Sequence, residues 1–234
     1  MYTLHIANKL YSSWSLRPWV LMTELASPFT EVMHPLAEGS NWSDFRNFSP
    51  SGKVPCLHAQ NQVIWDSLAI AEYLAEQHPE VWPQDTAARA WARCAAAEMH
   101  AGFGTLRHDC SMHCGLRVQL HQISAALQQD IDRVIELWTE GIERFGGSFL
   151  AGDRFTAVDA FFAPVAFRFQ TYQIPLPEVA NRYTQQLLTL ESMQSWVTDA
   201  LKEPWREPGH EQDVRSMGVV VEDLLSAEVD GRDR

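Results

Sequence analysis

Two hydroxyls stand side by side at Ser12-Ser13, between an alternating run, Tyr2–Ala7, and a stretch of helical spacing, Leu16–Leu25. They face a helix amino terminus, where peptide dipoles leave partial positive charge. A hydroxyl there donates to an anionic group or caps the helix; taken alone, such a pair is far more often a turn or cap. Ser15 reads as a cap, and Arg17, in a first helical turn, is structural at least as often as it is electrostatic. Asp66-Ser67 opens another helical run and carries the same two meanings, a cap or an anion site. Thr156 and Asp159 form a capping box with Asp in place of the usual Glu, which is structural. His108-Asp-Cys110-Ser-Met-His113-Cys114 gathers two His and two Cys. Zinc sites draw ligands from two separated pairs, so no metal is expected.

These residues need elements to hold them. Up to about Trp82 strands and helices alternate: Tyr2–Ala7 strand, Leu16–Leu25 helix with Pro18 in its first turn, Phe29–Met33 strand. Two further strands, Val54–His58 and Gln62–Trp65, are joined by a turn at Gln60-Asn61, and Ser67–Glu76 is a helix. A proline-containing linker, 78–85, separates this half from a helical one. Asp85 or Thr86 caps a long Ala-rich helix running to about Leu106 or further. Residues 118–145 form the clearest helix, with apolar positions at three- and four-residue steps, ended by Gly146-Gly147. Helices are also expected from Thr156 to about Phe169, over Glu178–Leu190 and Ser192–Glu203, and as a short piece near Val219–Ser226. The domains are thus 1–83 and 84–234.

The chain has 234 residues, 46% of them hydrophobic, and a net charge of −12. That supports a packed core and disfavours nucleic-acid or anionic-membrane partners, which need clustered Lys and Arg. A small anion remains compatible, since a site can be locally positive on an acidic protein. With four cysteines, no basic-apolar leader and no long apolar run, the sequence reads as a reducing-compartment, cytoplasmic protein.

Four segments occur in order: Tyr11-Ser-Ser-Trp-Ser-Leu-Arg17, Ser49-Pro-Ser-Gly-Lys-Val-Pro-Cys-Leu57, Asp66-Ser-Leu-Ala-Ile-Ala-Glu-Tyr-Leu74 and Gly152-Asp-Arg-Phe-Thr-Ala-Val-Asp159. Together they resemble the cytosolic glutathione transferases over residues 1 to about 203. The first segment is similar to the serine-type loop of zeta-like enzymes, the maleylacetoacetate isomerases. The resemblance implies an α/β thioredoxin-like N-terminal domain followed by an all-helical C-terminal domain, glutathione as co-substrate, a small electrophile as second substrate, and a homodimer.

It further implies that Ser12 or Ser13 stabilises the thiolate of bound glutathione. Zeta-like loops favour Ser12, and counting back four residues from the helix arginine, as in the delta class, favours Ser13; Ser12 is preferred here. Pro55 is expected in the cis form, so that Val54 offers its N–H and C=O to the tripeptide as an added strand would. Lys53, with Asn41 and Trp42 as weaker candidates, would meet the glycine carboxylate. Asp66 and Ser67 would hold the γ-glutamyl end. His108, Met112, Cys114 and Arg117 would line the second-substrate pocket, with Cys114 open to oxidation. Trp14 stands where the zeta pattern has Cys, and Thr171 stands where a zeta-like pocket places an arginine, Arg168 lying nearly one turn earlier. The leading expectation is conjugation to an electrophile. The alternatives are cis–trans isomerisation of the maleylacetoacetate type and a non-catalytic binding protein on the same fold.

Overall fold

A computed structural model describes residues 1–225. Strand β1 (Tyr2–Ile6) pairs in parallel with β2 (Phe29–Met33) and antiparallel with β3 (Cys56–Ala59), which pairs antiparallel with β4 (Gln62–Trp65), giving the order β2-β1-β3-β4. A parallel pair requires a crossover, and α1 (Ser13–Glu24) supplies it. Gln60, at a φ of +53°, turns the β3–β4 hairpin. Leu4 and Ile6 share one core with Leu16 and Val20 of α1 and Ile70 and Leu74 of α3 (Ser67–Ala75).

Side chains alternate across a strand, so His5 lies on the opposite face from Leu4 and Ile6. There its ring stacks on Phe48 and His34, its Nδ1 lies 2.9 Å from His34 Nε2, and His58 Nε2 donates to the Phe48 carbonyl at 2.8 Å. Phe45, from the single-turn helix α2 (Trp42–Phe45), closes the cluster. Burial, then the neighbouring His58 and His34, lowers the His5 pKa from 6.5 to about 4. The folded state therefore resists a proton that the unfolded chain accepts. Stability from this cluster is complete above about pH 6.5 and is lost as pH falls toward 4. His5→Phe is expected to flatten the denaturation midpoint across that window in urea titrations at stepped pH; an unchanged slope would exclude His5 as its source.

The second half contains α4 (Thr86–Ala101), α5 (Gly104–Asp109), α6 (Ala125–Phe145), α7 (Ala157–Thr171), α8 (Glu178–Thr189), α9 (Glu191–Lys202) and α10 (Pro208–Ser216). Helix α7 is buried along nearly its whole length and packs against α1, α4 and α8. Its capping box forms as expected: the buried Asp159 carboxylate accepts from the Leu150 and Thr156 amides, the Thr156 hydroxyl and the Tyr183 hydroxyl. Burial pushes its carboxyl up to about 6 against the pull of those four donors.

The two halves are riveted along one seam. Lys9, 3% exposed, pairs with Glu31 of β2 at 2.9 Å and Asp199 of α9 at 2.7 Å, between the rings of Trp19 and Trp196. Glu203 accepts from the Lys9 amide at 2.7 Å and from Asn8.

Several expectations are corrected. Helix α1 begins at Ser13, which moves Pro18 into the second turn, and its cap is Ser12, not Ser15. The strand expected from Val54 begins at Cys56. The helix expected to reach Leu106 stops at Ala101, because Phe103 adopts a left-handed φ of +56° and α5 starts afresh. Residues 116–120 form strand β5 (Leu116–Leu120), paired antiparallel with β6 (Gly218–Asp223), so the helical domain carries a small sheet and the helix expected near Val219 is a strand. The end of that expected helix, Ser226, lies outside the described residues. No helix among the described residues is long and apolar enough to cross a membrane.

Candidate active site

A cavity of about 720 Å³ opens where the end of β1, the start of α1, the 36–54 stretch, α5, α7 and α10 meet. Ser12 and Ser13 both line it, each 9% exposed. Their hydroxyls are used differently. Ser12 Oγ donates to Ser15 Oγ at 2.7 Å and accepts from the Ser15 amide, so it is spent on the cap. Ser15 Oγ also accepts from the Ala7 amide, which ties the cap to the end of β1. Ser13, the first residue of α1, accepts at Oγ from the Arg168 guanidinium at 3.3 Å, which leaves its own proton free to be donated.

Arg168 reaches this point from α7, 155 residues away in sequence. It is 4% exposed, its Nε has no partner among the described residues, and no carboxylate pairs with it there. Burial lowers its pKa to about 10. Arg17, 2% exposed, likewise has no carboxylate partner among the described residues, and its Nε and Nη1 make no hydrogen bond there: its guanidinium lies between the rings of Trp14 and Phe161, and burial, aided by Arg168 and Arg107, lowers its pKa to about 9. Arg107 and Lys53 also line the cavity, and among its lining residues there is no Asp or Glu. On a chain of net charge −12, this is a concentrated positive site.

The Val54–Pro55 peptide is cis. Val54 lines the cavity, and among the described residues neither its N–H nor its C=O makes a hydrogen bond. Lys53 has no ion-pair partner there either. Gly52, at a φ of +65°, lets Trp42 lie against the backbone; a Cβ would meet the indole at 2.6 Å. Asn41 lines the rim, but its side chain accepts from the Ala37 amide and donates to the Pro35 carbonyl, so it shapes the loop. Asp66 and Ser67 head α3 outside the cavity's lining. Asp66 holds a φ of +78°, a strained conformation for a residue with a Cβ, caps the Leu68 amide and meets His100 at 3.3 Å. The Ser67 hydroxyl is buried without a partner among the described residues.

Of the expected second-substrate residues, His108 and Met112 line the cavity. Cys114 and Arg117 do not. Cys114 is buried with Sγ against the Lys9 carbonyl, and burial pushes its thiol up to about 12, which removes the expected exposure to oxidation. Arg117, on β5, faces a separate shallow cleft with Gln170 and Glu222. Thr171 is buried and donates to the His113 carbonyl. Sequence reasoning missed Tyr11, Arg107 and His210, all of which line the cavity. Tyr11 donates to Glu211 of α10 at 2.6 Å, and His113 Nε2 meets the same oxygen at 3.1 Å. Although burial opposes ionisation, those hydrogen bonds bring the Glu211 carboxyl down to about 2. The His210 ring stacks on Tyr11, and its Nδ1 lies 2.6 Å from Glu207.

Residues 11–77 match the family model of the glutathione S-transferase N-terminal domain, and residues 121–206 match that of the C-terminal domain. The chain belongs to the glutathione S-transferase family. Within it, the chain is similar to maleylacetoacetate isomerase of Rattus norvegicus (26% identity over 179 residues, 74% of this chain and 78% of the relative). It is also similar to glutathione S-transferase Z1 of Arabidopsis thaliana (26% over 187 residues, 75% and 85%). A glutathione transferase homologue from Burkholderia, crystallised with bound glutathione, shares the fold at a TM-score of 0.65, with 23% identity over 86% of this chain and 99% of that one. The glutathione S-transferase models leave out the two stretches that hold α5 with β5 and α10 with β6, and these supply Arg107, His108, Met112 and His210 to the cavity. Among the described residues no group of His, Cys, Asp and Glu could hold a metal.

Proposed function

We propose that this protein binds glutathione along Val54 and α3, activates its thiol at Ser13, and joins the sulfur to a small electrophile held beside α5 and α10. The carrying observation is the acid-free, arginine-bearing cavity with a serine whose proton is unclaimed. The unpartnered Val54 backbone suits the tripeptide's own backbone, and the orphaned Ser67 hydroxyl with the α3 amino terminus suits its γ-glutamyl carboxylate. Lys53 supplies a cation for the glycine end. A free thiol is mostly protonated at neutral pH; a hydroxyl donor at a helix amino terminus beside a guanidinium favours the thiolate. Exposed Val63 and Trp65 on the edge strand β4 support a second copy of the chain as the partner in a homodimer.

A second reading, thiolate-assisted cis–trans isomerisation, is favoured by Arg168, whose buried charge has no carboxylate partner among the described residues and so suits an acidic acceptor. Calorimetry with glutathione tests both readings, since absence of binding would sink them together. Arg168→Met is expected to raise KM for maleylacetone about 10- to 100-fold, the worth of one hydrogen bond to a charged group, and to change KM for the uncharged chlorodinitrobenzene far less. Equal losses on both acceptors would remove the case for a carboxylate.

A further inference from the structure

We propose that His210, oriented by Glu207, is the proton donor that completes addition of the thiolate to an α,β-unsaturated carbonyl compound in this cavity. The inference rests on the glutathione-dependent reading above and adds a catalytic residue to it. Glu207 accepts at one oxygen from the His210 amide at 2.7 Å and from His210 Nδ1 at 2.6 Å, and at the other from the Gly209 amide at 3.1 Å. A carboxylate only accepts, so Nδ1 carries the hydrogen and Nε2 is left for other work. Nε2 has no hydrogen-bond partner among the described residues, and His210 lines the cavity.

Its seat is held from several sides. The ring lies on Tyr11, with centroids 5.0 Å apart, and the Tyr11 hydroxyl is fixed by Glu211, which His113 and Arg215 also hold. The Gly115 amide donates to His113 Nδ1 at 3.1 Å, so His113 presents Nε2–H to Glu211 and keeps α10 in place. Strand β6 then ties the end of α10 to β5. A capping glutamate alone needs neither the ring stack nor the cavity position.

The thiolate sulfur bonds to the β-carbon of the acceptor, the carbon–carbon π pair moves to give an enolate, and the imidazolium Nε2–H gives its proton to that oxygen. The enol returns to the ketone, and His210 regains through solvent the proton that the thiol released on ionising. An aryl halide needs no such proton, because chloride leaves with the electron pair. His210→Ala is therefore expected to lower the ratio of turnover on benzylideneacetone to turnover on chlorodinitrobenzene about 100-fold, the usual worth of a general acid. The loss should fall in kcat more than in KM, and added imidazole should restore part of it. Glu207→Gln, which keeps an acceptor for the amides, should lower the same ratio about 10-fold. The ultraviolet band of bound glutathione thiolate, read in each variant, separates this step from thiol activation. Equal losses on the two acceptors, or no rescue by imidazole, would make His210 a wall residue and overturn the proposal. Failure of the wild type to bind glutathione would instead strike the reading on which it rests.

Discussion

Ser13→Ala is expected to raise the pKa of the bound glutathione thiol by about one to two pH units and to slow conjugation about 100-fold, with glutathione affinity nearly intact. The size follows from losing one donor to a charged acceptor, about 1.5–3 kcal/mol, where one pH unit is worth about 1.4 kcal/mol. Binding should survive because the backbone of Val54, Ser67 and Lys53 hold the remainder of the tripeptide in the proposed pose. Ser12→Ala should behave differently. Its hydroxyl already donates to Ser15 and accepts from the Ser15 amide, so its loss removes a helix cap and costs about 1 kcal/mol of stability. The thiolate band should persist. Thiolate absorbance of the two variants saturated with glutathione decides between them: a lost band in Ser12→Ala beside an intact one in Ser13→Ala would return the role to Ser12.

Asp159→Ala is expected to produce the largest stability loss, about 3–5 kcal/mol. Four donors converge on that carboxylate, two of them backbone amides, and a methyl group leaves them buried without an acceptor. Each unsatisfied group costs about 1–3 kcal/mol, partly relieved as the Thr156 and Tyr183 hydroxyls turn elsewhere. For a chain of this length that lowers Tm by roughly 6–20 °C. Tyr183→Phe removes one donor only and should cost about 1 kcal/mol. Calorimetric scans of the two variants provide the check; a shift in Asp159→Ala no larger than that in Tyr183→Phe would show that the box does not anchor α7.

Features encoded within a few residues were legible in the sequence. The alternation of Tyr2–Ile6, the Gln60-Asn61 turn, the Thr156/Asp159 box and the placing of Ser12 and Ser13 at a helix start all depend on neighbours in the chain. Features decided by distant packing were not. Leu116, Val118 and Leu120 alternate, yet the next residues carry helical spacing, and the strand exists because β6, about a hundred residues later, pairs with it. Phe103 ends α4 by adopting a left-handed conformation that nothing in its side chain announces. The site divides the same way. The strand-like edge at Val54 and the cap at Asp66 are local, whereas Arg168 reaches Ser13 only because α7 packs on α1. Cys114 and Arg117 were expected beside the pocket, at the end of the helix before them, whereas the chain there turns away into β5. His210 carried no signal beyond a glutamate three residues before it.

The rivet at Lys9 has a consequence for how a ligand enters. Lys9 joins β2 to α9, Glu203 grips the backbone beside it, and Arg168 bridges to Ser13 a few residues further on. Rotating one half against the other would pull a desolvated lysine away from Asp199 and its amide away from Glu203, while its pair with Glu31 lies within one half, so the seam resists a hinge motion. What remains able to yield is the rim at 36–42, held by the Asn8–Leu36 hydrogen bond and the side chain of Asn41. A ligand is thereby expected to enter past that rim, in one half of the molecule, with the seam between the halves intact.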